Sequence, residues 1–260
     1  MKSYIRNWGI SHSYLILEQI SFSNMIKNIL NKLFPKPSNE ELHEDPSLNA
    51  GCKEFEINNW IISKFVIDNL VPIVDIHPFP VNEQILMVSA VCRLKPTHIL
   101  EWGTNIGKSA RIFYETCEAF HIDSEIHSID LPDDVEHIEH PGGYRGLFVK
   151  NISKVKLHLG DGLERALQIV SDCKDDQPRP LFFIDGDHSY KSVKKELEEV
   201  IRNVPQANIL LHDTFNQSEE SGYNVGPYRA IIETLDNFPN KYKTISQDIG
   251  LPGMTLLWQD

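Results

Sequence analysis

The sequence predicts an α/β protein: a doubly wound, mostly parallel seven-stranded sheet preceded by an N-terminal helical extension. Three observations predict it. From residue 97 onward, short β-rich apolar runs alternate with amphipathic stretches, the pattern of parallel strands covered by helices on both faces. The last two runs are separated by only a short segment, which joins antiparallel neighbours. Before residue 76, apolar positions recur at helical rather than strand spacing.

Taken in order, residues 1–34 place Ile10, Leu15, Leu17, Ile20, Met25, Ile26, Ile29, Leu30, Leu33 and Phe34 at helical intervals. A stretch rich in proline and charge follows near 35–47 and reads as a linker. Helical patterns return over roughly 53–69 and 82–94. The strands are then His98–Trp102, Glu125–Asp130, Val155–Leu159, Pro180–Asp185 and Asn208–His212, with helices near 107–120, 162–172 and 189–203 between most of them. After a helix near 226–237, Tyr242–Ile245 and Met254–Trp258 form a hairpin at one edge of the sheet. The chain divides into an extension over 1–75 and the doubly wound domain over 76–260.

Composition narrows the partners. The 260 residues are 41% apolar and 24% charged, with 25 basic against 37 acidic side chains and a net charge of −12. So acidic a chain is a poor partner for nucleic acid or anionic lipid. Cys52, Cys92, Cys117 and Cys173 form no Cys-x-x-Cys pair, which argues against a zinc ribbon or a disulfide framework. No apolar run reaches the length of a membrane span, and Glu18 interrupts the short apolar stretch near the N-terminus. The expectation is a cytoplasmic protein with reduced thiols. The apolar stripe of its N-terminal helix is expected to serve packing or contacts in a homo-oligomer.

In doubly wound sheets, ligands sit beyond the carboxyl ends of the strands. Polar residues stand there: Glu101, Asp130, Gly160-Asp161, Asp185 and His212-Asp213. The first strand leads into Glu101-Trp-Gly-Thr-Asn-Ile-Gly-Lys-Ser109. A triphosphate cradle fits the end of this loop, but its opening glycine falls on Trp102. A dinucleotide fingerprint would need a third glycine. The third pattern is Glu/Asp-x-Gly-x-x-x-Gly, which Glu101, Gly103 and Gly107 match without a gap.

That third pattern resembles motif I of the class I S-adenosylmethionine-dependent methyltransferases. The resemblance implies a Rossmann-like methyltransferase fold and S-adenosyl-L-methionine as cofactor. It implies cofactor contacts from Glu101, Gly103, Thr104, Gly107, Lys108 and Ser109. It places Asp130 at the ribose hydroxyls, whose two bonds a carboxylate can accept, and Gly160, Asp161 and Gly162 at the adenine edge. Asp161 is equally the kind of residue that caps a helix.

Two further strand ends carry Asp185-Gly-Asp-His-Ser-Tyr190 and His212-Asp-Thr214. Acids and imidazoles converging on one rim need compensating charge, and a divalent cation supplies it. The pair of motifs is similar to the cephalosporin-hydroxylase-like proteins and the macrolide-type sugar O-methyltransferases, over about residues 97–215. The resemblance implies Asp185 and Asp213 as metal ligands; His212, standing where the metal-using relatives have an acid, still permits coordination and completes the set, whose carboxylates and imidazole suit Mg²⁺ or Mn²⁺. It implies Asp187 as general base; His188 is the second candidate. The expected reaction is O-methylation of a sugar or small natural-product hydroxyl. The rivals are a P-loop-like nucleotide hydrolase and a catalytically silent cofactor-binding or assembly module.

Weaker signals remain. The acidic loop after Asp130 carries His137 and His140 and reads as a lid over the cofactor. The segment 217–228, with Tyr223 and Tyr228, follows the fifth strand and is placed to select the acceptor.

Overall fold

The computed structural model describes residues 44–49, 51–135, 142–174 and 177–259, within a compact unit spanning His43–Asp260. The helix expected over 1–34, most of the linker, and His137 and His140 lie outside the described residues.

Helix α1 (Asn59–Phe65) is capped by Asn58, whose side chain accepts from the backbone of Trp60 and Ile61. A π-helical turn, Val66–Leu70, and the short α2 (Val71–Val74) follow. Helix α3 (Val81–Leu94) then leads to β1 (His98–Trp102), α4 (Lys108–Ala119), β2 (Glu125–Asp130), β3 (Val155–Leu159) and α5 (Gly162–Ser171). Next come β4 (Pro180–Ile184), α6 (Tyr190–Asn203), β5 (Asn208–His212), α7 (Gly226–Asn237), β6 (Lys243–Gln247) and β7 (Met254–Trp258). The seven strands form one sheet in the order β3-β2-β1-β4-β5-β7-β6. Strands β1 to β5 pair in parallel, and β7 runs antiparallel to both β5 and β6. The expected doubly wound sheet and its C-terminal hairpin are both present.

The central strands β1 and β4 are buried along their whole length because both faces of the sheet are covered. Along β4, Leu181 and Phe183 join a core with α1, α3 and α4, while Phe182 and Ile184 face a second core beneath α5, α6 and α7. Residues 62–74 contribute Ile62, Phe65, Val66, Leu70 and Val74 to the first core. In α6, the buried Val193, Leu197, Val200 and Ile201 recur at i, i+4, i+7 and i+8, one helical stripe. Among the described residues, no helix is long and apolar enough to cross a membrane.

One polar row is built into the second face. His127 on β2 stacks on His158 of β3 at 5.2 Å, with Nδ1 and Nε2 of the two rings 3.0 Å apart. Burial pulls the His127 pKa down to about 4, against the opposing pull of Glu125. Above about pH 6.5 the ring is neutral in folded and unfolded chains alike. As the pH falls toward 4, only the unfolded chain takes up the proton, and this ring alone costs the fold on the order of 3 kcal/mol. Glu101, whose pKa burial raises to about 7, titrates in the opposite sense. The readout is therefore a difference: between pH 7 and 4, His127→Gln should lose less stability than the parent chain in urea melts, and parallel curves would refute the assignment.

Candidate active site

The glycine loop after β1 is held from below. The Gly103 and Thr104 amides donate to the Ile129 carbonyl at 3.0 and 3.4 Å, and the Gly107 amide donates to the Thr104 carbonyl at 2.7 Å. These N–H groups are committed within the chain, and the buried Trp102 stands where a triphosphate loop would open, so the loop is no phosphate cradle. Gly103 has φ +93°, and a Cβ there would lie 2.0 Å from the Asp185 carbonyl oxygen. The loop of β1 therefore touches the backbone end of β4. Gly107, at φ +84°, packs beneath Gly146 and Val149 and starts α4.

Glu101 is buried beneath this loop. Its Oε1 accepts from the Ser128 hydroxyl at 2.5 Å, and that hydroxyl lies 2.7 Å from Thr104 Oγ1. Oε2 has no hydrogen bond of good geometry. Burial pushes the Glu101 pKa up to about 7; the Ser128 and Ser109 hydroxyls pull against it, and the charges of Asp185 and Asp130 add to it. A buried acid below a loop of close-packed glycines fits a ligand carrying a donor group.

The other expected cofactor residues are more varied. Asp130 ends β2, but its Oδ2 accepts from Arg145 Nε at 3.0 Å and its Oδ1 from the Leu131 amide at 3.0 Å. Each oxygen keeps a second lone pair, so a diol still has acceptors there. Arg145 also bonds Asp133 at 2.5 Å and the Leu131 carbonyl at 2.8 Å, tying the segment after β2 to the site. Asp161 caps α5 through the Glu164 amide, 2.9 Å away. Gly160 follows β3, with its amide on the Asp130 carbonyl. Gly162 lies against Trp102, where a Cβ would come within 2.4 Å of the indole side chain. Lys108 turns its ammonium to the His77 carbonyl at 2.5 Å and over the Phe148 ring.

The second cluster is more tightly drawn. His212 at the end of β5 is 5% exposed, with Nδ1 2.9 Å from Asp185 Oδ1 and Nε2 3.1 Å from Glu83 Oε2. Phe79 packs edge-on against the ring at 4.8 Å. Burial opposes a charge on this ring, but the carboxylates of Asp185, Glu83 and Asp213 outweigh it and push its pKa up to about 10. Asp213 has φ +58° and accepts on Oδ2 from His188 Nε2 at 3.1 Å and Asn224 Nδ2 at 3.0 Å. Its Oδ1 is buried without a partner.

Asp185, His212 and Asp213 each offer one donor atom within 4.8 Å of the others. Two carboxylates, one imidazole and an unsatisfied buried oxygen fit a cation, and a metal at Nδ1 would displace the proton held there. Asp187 stands apart. Its oxygens accept from the Ser189 amide at 2.9 Å, the Ser189 hydroxyl at 3.1 Å and the Ser192 hydroxyl at 2.5 Å. Burial raises its pKa, but these bonds prevail and hold it below the ordinary value. Ser189 itself caps α6. Sequence reasoning missed Glu83, Arg145 and Asn224, each of which reaches the site from a segment with no local motif.

Gly103→Ala sets a methyl group against the Asp185 carbonyl in a left-handed backbone. It should cost more than about 2 kcal/mol of stability and weaken S-adenosylmethionine binding at least tenfold by calorimetry. An alanine variant with parental affinity would show that the loop does not define the cofactor site.

Residues 100–214 match a family model described as a methyltransferase domain. No curated protein sequence matches the chain. Among solved structures, the chain is similar to an SAH-bound methyltransferase from Podospora anserina, at TM-score 0.51 and 12% identity, covering 100% of each chain. It is also similar to an O-methyltransferase from Bacillus cereus in complex with SAH, at TM-score 0.49 and 14% identity, covering 91% of this chain and 97% of that one. A third is an O-methyltransferase from Streptomyces achromogenes involved in tomaymycin synthesis, in complex with SAM, at TM-score 0.49 and 15% identity, covering 77% and 88%. At such identities a structural likeness speaks for the fold alone, which the seven-stranded order already displays. The stretch that builds both clusters is thus similar to a methyltransferase domain over residues 100–214.

Proposed function

We propose that the chain transfers the methyl group of S-adenosylmethionine to a hydroxyl oxygen of a small molecule, a sugar or a natural product, beside a divalent cation. The observation that carries this reading is the contact between the two clusters: the Gly103 backbone lies against the Asp185 carbonyl, and the Asp185 side chain belongs to the His212 and Asp213 group. A donor cupped by the glycine loop would therefore face a cation site at one strand's remove.

In this reading Glu101 accepts a donor group of the cofactor, and Asp130 takes the ribose hydroxyls alongside Arg145. Asp185, His212 and Asp213 hold Mg²⁺ or Mn²⁺, which when bound would lower the pKa of an acceptor hydroxyl. His188 takes the proton. Its Nε2 faces Asp213 Oδ2 at 3.1 Å, which leaves Nδ1 to accept the proton. Asp187 is a poorer base because three donors hold its carboxylate in the charged form; it fixes the loop that carries His188. The transferred methyl is already electrophilic, so alignment of acceptor oxygen, methyl carbon and sulfur supplies much of the rate.

The test is mass spectrometry of a panel of sugars, sugar nucleotides and phenols incubated with the chain and methyl-labelled S-adenosylmethionine. A hydroxyl acceptor should gain one labelled methyl, EDTA should abolish transfer, and Mg²⁺ or Mn²⁺ should restore it. Transfer only to nitrogen or carbon acceptors would overturn the oxygen assignment; transfer indifferent to EDTA would remove the cation. His188→Asn should lower kcat by about 10²–10⁴-fold, with Asp187→Asn falling much less. The reverse order would return the base to Asp187.

A further inference from the structure

We infer that Glu83 is the positioning residue of the cation site: it holds the proton of His212 on Nε2 and so reserves Nδ1 for the cation. The inference rests on the cation reading above and adds a residue that no motif marks.

Glu83 sits in the first turn of α3, 129 residues from His212 in sequence, and is 1% exposed. A carboxylate buried that deeply is costly unless both oxygens are engaged. Both are: Oε2 lies 3.1 Å from His212 Nε2, and Oε1 accepts from the Gly253 amide at 2.8 Å. A carboxylate only accepts, so the shared proton belongs to Nε2. Nδ1 then faces Asp185 Oδ1 at 2.9 Å and Asp213 Oδ2 at 3.7 Å, on the side where the candidate ligands gather. Ring nitrogens that bind metals characteristically have their far N–H anchored by a carboxylate, which sets the tautomer and the ring direction.

The anchor is itself anchored. The Gln84 amide bonds the Asp75 and Phe79 carbonyls at 2.7 and 2.9 Å, and this holds the Phe79 ring against the imidazole. Gly253 packs on Phe215, two residues past Asp213, where a Cβ would come within 2.4 Å of the Phe215 amide. Glu83 thus links α3, the β6–β7 loop and the end of β5 around one ring.

Glu83→Gln separates tautomer control from packing. The amide oxygen can keep the Gly253 bond, while the amide NH₂ meets Nε2 as a donor and drives the His212 proton to Nδ1. Titrating Mn²⁺ into the full chain by calorimetry should give a dissociation constant about 10–100-fold weaker in the variant, with a parental melting profile. Histidine ¹⁵N NMR of the parent chain loaded with Zn²⁺ supplies a readout that needs no variant: the proton should reside on Nε2 of His212 and the metal shift on Nδ1. An unchanged Mn²⁺ constant in a folded variant, or a Zn²⁺-loaded parent with its proton on Nδ1, overturns the role of Glu83 and leaves the cation site standing. A parent chain that binds neither Mn²⁺ nor Zn²⁺ overturns the cation site and this inference together.

Discussion

The site depends on a single buried imidazole held between carboxylates. His212 joins Asp185 on one side and Glu83 on the other, in a pocket walled by Phe79. Three acids close together away from water repel one another and lose hydration, and neither loss is tolerable without a positive charge among them. A proton on the ring meets that need in the unliganded chain, which is why its pKa is pushed up to about 10 despite burial. In the proposed reading, a divalent cation held by Asp185, His212 and Asp213 would meet the same need more strongly. The same constraint would therefore serve both the resting protein and the proposed cation site.

The second dependence is steric. The two halves of the site arise on β1 and β4, neighbours in the sheet, and the loop after β1 must lie flat on the end of β4. Only a residue without a Cβ permits that at position 103. The distance between the glycine loop and the rim acids is thereby set by backbone contact rather than by flexible side chains. Reactions that rely on in-line alignment benefit from such rigidity, since small displacements of donor and acceptor are costly in rate.

Much of the fold was readable because the central strands are covered on both faces and so appear as apolar runs. Pro180–Ile184 and Asn208–His212 stand out against the amphipathic helices around them. The boundaries were also local: Asp161 and Ser189 are caps, and both stand one residue before the helices they start. Residues such as Asp185 and His212 were visible because a polar residue ends an apolar strand where ligands sit in this architecture. Glu83 was invisible for the converse reason. It occupies an ordinary first-turn position, where acids favour the helix dipole, and only the fold brings it to His212. Arg145 and Asn224 are likewise loop residues whose partners, Asp130 and Asp213, lie 15 and 11 residues away. Asp187 shows a subtler limit. Its motif was legible, but the serine five residues on that donates to its carboxylate was not.

Asp213 carries costs that folding alone does not explain. It is nearly fully buried, holds a left-handed backbone and leaves one oxygen without a partner. A left-handed conformation costs a residue with a side chain about 1–2 kcal/mol, although aspartate bears it better than most. An unsatisfied buried oxygen costs a further 1–3 kcal/mol. A glycine would remove both penalties and still complete the turn, so selection for stability alone would not keep an acid here. Yet the acid orients His188, receives Asn224 and stands beside His212. Strain and an unmet hydrogen bond at one residue, both removable by a single substitution, would be accounted for by the cation proposed above.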